Sequence, residues 1–239
     1  MARTDPDGSG PHAKPPTRQH PTSHTRHSGE KTSVKGLISA YLVDSTPRNY
    51  SASHSTTDID VVIRRSEIEL PHYELKQGIL ELAGSRQVDQ SIFEKVVRTI
   101  CAVANNGKDR SGTIIIGVTD KDADAERIKK LDSVEPRRVG KRFVVGVKRE
   151  AKVLDIKPEE YFARWKNAVR NSELSQTLRD AVLSAMDYND YYGLGIIIIT
   201  VPPQKELSFV GDDVYWREGD QTVKAQTQKA VVDLAKRFV

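Results

Sequence analysis

EIELPHYELKQG, residues 67–78, and TIIIGVTD, residues 113–120, enclose a stretch of helical periodicity, and this strand–helix–strand order decides the fold. The second run is β-branched, apolar and bounded by glycines, the pattern of a buried strand. In the first, residues 68, 70, 72, 74 and 76 share one face of an unbroken strand and residues 69, 71, 73 and 75 the other, because side chains alternate. Glu69 and Glu74 then point to opposite faces. Pro71 lies between them and cannot donate to a ladder, so it supplies a reason for a bend or bulge. With that bend, adjacent strands bring Glu69, Glu74, Asp120 and Lys76 together; without it the carboxylates are an ordinary polar strand face and Asp120 a turn residue.

Between the strands, Ile92, Phe93, Val96, Val97, Ile100, Val103 and Ala104 form an apolar stripe at helical period, with Asp89 as N-cap and Asn105, Asn106 and Gly107 as the stop. Downstream the pattern predicts a strand at 142–147, a helix at 158–169 opened by Pro158, and a helix at 174–185. A buried strand, IIIIT, follows at 196–200 and ends at Pro202 and Pro203. A hairpin is expected through Gly211 and Asp212, its return strand beginning at Val214, Tyr215 and Trp216, and then a closing amphipathic helix over 226–238. Upstream, IDVVIRRS reads as a further β-type run. The expectation is an α+β domain over 61–239, a mixed β-sheet packed against helices.

The N-terminal quarter differs. Residues 1–31 are rich in Pro, Ser, Thr, His and charge, and nearly without large apolar side chains, so they are expected to be a disordered basic tail. His12, His20, His24 and His27 lie there. Residues 32–60 read as a short amphipathic helix at 33–43 followed by a polar linker; the helix is a surface for a protein partner or a second copy.

With 37 Lys and Arg against 33 Asp and Glu the chain has a net charge of +4 and a pI near 9.0. More telling, Arg137, Arg138, Lys141, Arg142, Lys148, Arg149 and Lys152 fall in one short stretch opposed only by Glu150, which reads either as a phosphate-neutralising run or as a solvated hairpin. No apolar run has the length of a membrane span, and the single Cys101 fits a reducing cytoplasm. GxxxxGK[ST] and GxGxxG are absent, and no His/Cys spacing fits zinc.

Four segments in order carry a family resemblance: ELPHYELKQG, VVRTICAVANN, GTIIIGVTD, and IIIITVPPQKELSFVGDDVYWREGDQT. Together they resemble the Schlafen AlbA-like domain, known from human and bacterial proteins, over about residues 67–226. The chain departs from that pattern in the longer NNGKDRSG loop and in the residues around Glu218–Thr222. The resemblance implies an α+β fold and one of several functions. One is a metal-dependent ribonuclease in which Glu69, Glu74 and Asp120 are catalytic and hold Mg²⁺ or Mn²⁺, with Lys76 on a phosphate oxygen. Another is a non-cleaving module that binds RNA or DNA through Lys76, Arg142, Lys148, Arg149 and Arg217. The remaining readings are a regulatory or assembly module of a bacterial defence or transcription system, and a divergent nucleotide-binding domain.

Overall fold

The structure, a computed structural model, describes residues 54–68 and 71–239. The expected tail, the helix at 33–43, most of the linker and Glu69 lie outside the described residues. In chain order the elements are α1 (Thr56–Arg65), β1 (Tyr73–Lys76), α2 (Ser91–Ala104), β2 (Gly112–Ile116), β3 (Val118–Thr119), α3 (Asp122–Asp132), β4 (Arg137–Val139) and β5 (Arg142–Val144). They continue as α4 (Lys148–Val153), α5 (Pro158–Arg170), α6 (Gln176–Ser184), β6 (Met186–Asn189), β7 (Ile196–Val201), β8 (Tyr215–Glu218), β9 (Gln221–Lys224) and α7 (Gln228–Ala235), closed by a 3-10 turn (Lys236–Phe238). The fold is mixed α+β, as the sequence predicts.

The central sheet has strand order β1-β2-β7-β6. β1 and β2 are parallel, with Glu74 opposite Ile114 and Lys76 opposite Ile116; the other pairs are antiparallel. Parallel pairing needs a crossover, and α2 provides it. Its stripe of Val96, Val97, Ile100 and Val103 packs on Ile114, Ile116, Ile197 and Ile199, together with Tyr161 and Trp165 of α5 and Leu178 and Val182 of α6. The opposite face carries Ile115, Ile196 and Ile198 against Ile59 and Ile63 of α1 and against Val118, Val139 and Val144 of a second sheet, ordered β3-β5-β4. β7 is therefore buried on both faces, which is why its sequence is an unbroken apolar run.

IDVVI is helical, not β-type. Ile59, Val61 and Ile63 alternate as in a strand, but Ile59 and Ile63 are also i and i+4 on one helical face, and both are buried. A capping box settles the outcome: Ser55 Oγ accepts from Asp58 N at 3.2 Å, and Asp58 Oδ2 accepts from Ser55 N at 3.2 Å. Full burial of the two isoleucines stabilises the packing of α1 by roughly 1.5–3 kcal/mol each.

Other elements also differ from expectation. The strand expected over 142–147 ends at Val144, and the short helix α4 follows it. The charged stretch after Asp120 forms α3, whose inward face is only Ala125 and Ile128. Gly211 does turn the chain, with Val210 bridging Asp213, but Tyr215–Glu218 pairs with Gln221–Lys224 across a second turn at Gly219. The closing helix starts at Gln228, capped by Thr227, and buries Leu234, while the 3-10 turn buries Phe238. Among the described residues no helix is long and apolar enough to cross a membrane. Cys101 is free and buried, and burial pushes its thiol up to about 12.

Candidate functional site

Glu74 and Lys76 sit two apart on β1 and share the face that meets α2. Lys76 Nζ donates to Glu74 Oε1 at 2.5 Å, and the guanidinium of Arg217, on β8, donates from Nη1 to Glu74 Oε2 at 3.0 Å. Arg217 is buried. It also donates to Thr222 Oγ1 at 3.0 Å and to Tyr73 O at 3.4 Å, and Thr222 in turn meets Thr99 of α2. The carboxylate of Glu74 thus lies between two cations and ties the β8–β9 hairpin to the edge strand.

Asp120 stands elsewhere, beyond the end of β3 and on the surface. Its partner is Arg142 Nη1 at 3.5 Å, and Arg142 Nη2 also donates to Ser66 O at 2.5 Å. The structure does not bring Asp120 and Glu74 onto a shared partner, and Glu69 is not described. Among the described residues no three His, Cys, Asp or Glu side chains gather into a group able to hold a metal ion. The donors that are described do not fit Mg²⁺ or Mn²⁺, because Glu74 faces two cations and Asp120 a third.

The basic stretch is divided by the fold. Arg149 is buried: Nη1 donates to Asp132 Oδ2 at 2.6 Å, Nη2 to Gln77 O at 2.7 Å and Glu150 Oε1 at 3.0 Å, and Nε to Gly146 O at 3.1 Å. Arg86 adds a second guanidinium to Asp132 at 2.6 Å. Glu150 accepts from the backbone of Ile79 at 2.6 Å and Leu80 at 3.1 Å and from Tyr161 OH at 2.5 Å. Burial, reinforced by Glu150, drives the Tyr161 phenol far above its ordinary range, so it stays a donor. A Cβ at Gly78 would fall 2.2 Å from Glu150 Oε1, which explains the glycine that ends YELKQG. This network holds the chain leaving β1. Lys148, half-buried, pairs with Asp190 at 2.9 Å.

Arg137, Arg138 and Lys141 remain exposed on the β4–β5 hairpin. The hairpin abuts the end of α1, where Lys141 N donates to Glu67 Oε1 at 3.0 Å and a Cβ on Gly140 would sit 3.3 Å from Arg64 Nη1. Arg64, which is exposed, extends the same basic surface, and Arg142 lines its edge. Aromatic rings accompany the cations: the Arg138 guanidinium is 5.7 Å from the Phe143 ring centroid and Arg137 is 3.7 Å from that of Tyr192. Sequence reasoning named the arginines of this hairpin but missed Arg64, Phe143 and Tyr192; the Tyr-Tyr-Gly turn at 191–193 was the available signal for the last.

Asn105 and Asn106 account for the asparagine pair that ends α2. Asn105 Nδ2 donates to Ser208 O at 2.9 Å and Tyr215 O at 2.8 Å while Oδ1 accepts from Ser208 N at 2.8 Å, and Asn106 Nδ2 donates to Pro71 O at 3.0 Å. Both side chains therefore join distant segments to the helix end.

A parallel β1–β2 pair bridged by α2, an antiparallel β7 beside it and an Arg-bearing hairpin clasped to the edge define an α+β domain of the kind those motifs predict. The family model described as "Schlafen, AlbA_2" matches residues 69–226, and the chain belongs to that family. No curated protein matches the chain. Among solved structures it is similar to the DIP2311 protein from Corynebacterium diphtheriae, with 12% identity and a TM-score of 0.40, over 70% of this chain and 27% of that one.

Proposed function

We propose that this domain binds RNA or DNA through the basic surface formed by the β4–β5 hairpin and the last turn of α1. The carrying observation is that Arg137, Arg138 and Lys141 are exposed beside Arg64, while the carboxylates of the same region are fewer and engaged. Asp120 faces Arg142, and Glu67 accepts from a backbone N–H. Exposed guanidinium groups suit phosphate oxygens because the planar fork donates two parallel hydrogen bonds. Most protein–nucleic acid hydrogen bonds go to the backbone, so such a surface supplies affinity and orientation before any base is read.

No cleavage step is assigned to Glu74 or Asp120. Glu74 is placed to neutralise buried Arg217, and Arg149 and Arg217 act within the protein, leaving Arg142 and Lys148 at the rim of the surface. Electrophoretic shift of labelled RNA and single-stranded DNA, with the substrate recovered afterwards on a denaturing gel, tests this reading. A shifted and intact strand is expected from the wild type, and a much weaker shift from the Arg137→Ala/Arg138→Ala/Lys141→Ala variant. Equal shifts from the two proteins would overturn the assignment of the surface.

A further inference from the structure

We propose that Tyr192 is a stacking platform for an unpaired nucleobase, so that the domain selects single-stranded over duplex nucleic acid. This rests on the nucleic-acid reading above. Tyr192 occupies the tip of the turn between β6 and β7. Leu194 N donates to Tyr191 O at 2.9 Å, and the two residues between them have positive φ, 47° at Tyr192 and 78° at Gly193, the signature of a type I′ turn. Asn, Asp or Gly is the ordinary occupant of the first of these positions, because a Cβ is disfavoured there. A tyrosine held at positive φ on the surface is a local cost that points to a use for the ring.

The surroundings fit stacking. Tyr192 is 55% exposed. Arg137 lies over its ring at 3.7 Å, and Tyr191 meets it edge-on with centroids 4.8 Å apart at 87°. The ring is thus held between a buried tyrosine and a cation while more than half of the residue stays exposed. Tyr191 is itself anchored by donating to Asp60 Oδ1. The neighbouring carboxylate, Asp190, is neutralised by Lys148 at 2.9 Å, so an incoming strand does not meet a bare negative charge. Arg137 belongs both to this stack and to the basic hairpin, which places a base-sized apolar face directly beside the phosphate-binding cations. Bases in a duplex are already stacked and hydrogen-bonded, whereas unpaired bases are free to lie on an aromatic ring.

The test compares fluorescence anisotropy titrations of the whole chain with a labelled unstructured single strand, the same strand annealed into a duplex, and the single strand carrying abasic sites. Tyr192→Asn removes the ring with a residue that suits positive φ, so its folding is secure, and Tyr192→Phe restores the ring. The expected results are tighter wild-type binding to the single strand than to the duplex or the abasic strand, and a loss of roughly 5- to 150-fold in single-strand affinity for Tyr192→Asn. Duplex affinity should be unchanged in that variant, and Tyr192→Phe should bind as the wild type. Unchanged single-strand binding in Tyr192→Asn, or equal wild-type affinity for single strand and duplex, overturns the inference and leaves the basic surface standing. Failure of the wild type to bind any of the ligands overturns the nucleic-acid reading itself.

Discussion

Two groups of arginines drawn from one short stretch of sequence have opposite fates. Arg149 is sealed against Asp132 and Glu150 at the end of β1, whereas Arg137 and Arg138 stand in solvent on the β4–β5 hairpin. A buried guanidinium has given up its water and must be matched by carboxylates and carbonyls, so its work is structural. An exposed one keeps its donors available to a ligand. The same contrast separates Arg217, which is buried on Glu74, from Lys141. Charge in a sequence therefore marks a binding surface only after burial has sorted it.

The contrast breaks most visibly in the core. Glu150→Ala should cost roughly 3–5 kcal/mol, because it removes one of the two carboxylates on buried Arg149 and leaves the backbone N–H groups of Ile79 and Leu80 and the Tyr161 hydroxyl without their acceptor, and urea denaturation will read that loss. Glu74→Gln should be milder, about 1–3 kcal/mol, since the amide still accepts from Arg217 but no longer neutralises it. Binding to nucleic acid should persist in Glu74→Gln at temperatures where it is folded; loss of cleavage without loss of stability would instead restore a catalytic role to Glu74. The surface variant Arg137→Ala/Arg138→Ala/Lys141→Ala should lie within about 0.5 kcal/mol of wild-type stability per site while losing its ligand.

A smaller effect comes from His72. Burial first, and Arg110 second, hold its imidazole below the ordinary value of 6.5. Below pH 6.5 the unfolded chain then binds more protons than the folded one, so stability should fall with pH from that point until the folded-state value is passed. His72→Gln should flatten the melting-temperature profile in that window; an unchanged profile would assign the pH dependence to other groups.

The two central strands were legible because they are chemically extreme, whereas the edge strand Met186–Asn189 was not expected. TIIIG and IIIITV have no polar face to mislead, and the stripe of α2 fits one period only. α1 was misread because Ile59, Val61 and Ile63 satisfy the strand period while Ile59 and Ile63 satisfy the helical one; Ser55 and Asp58 held the deciding signal. The site was less legible for a different reason. The partner of Glu74 is Arg217, 143 residues away, and the partners of Arg149 include Asp132 and Gln77, so no local pattern distinguishes a buried arginine from Arg138. Tyr192 was hidden because its exposure follows from turn geometry.

The most direct test of the account is the salt dependence of binding to a labelled single strand, measured side by side for the wild type and the Arg137→Ala/Arg138→Ala/Lys141→Ala variant. Each phosphate contact on a single strand contributes about −0.7 to the slope of log affinity against log salt. The account predicts a steep wild-type slope that becomes shallower by about 2 in the variant, with weaker affinity at every salt concentration. Identical slopes and affinities in the two proteins would contradict it.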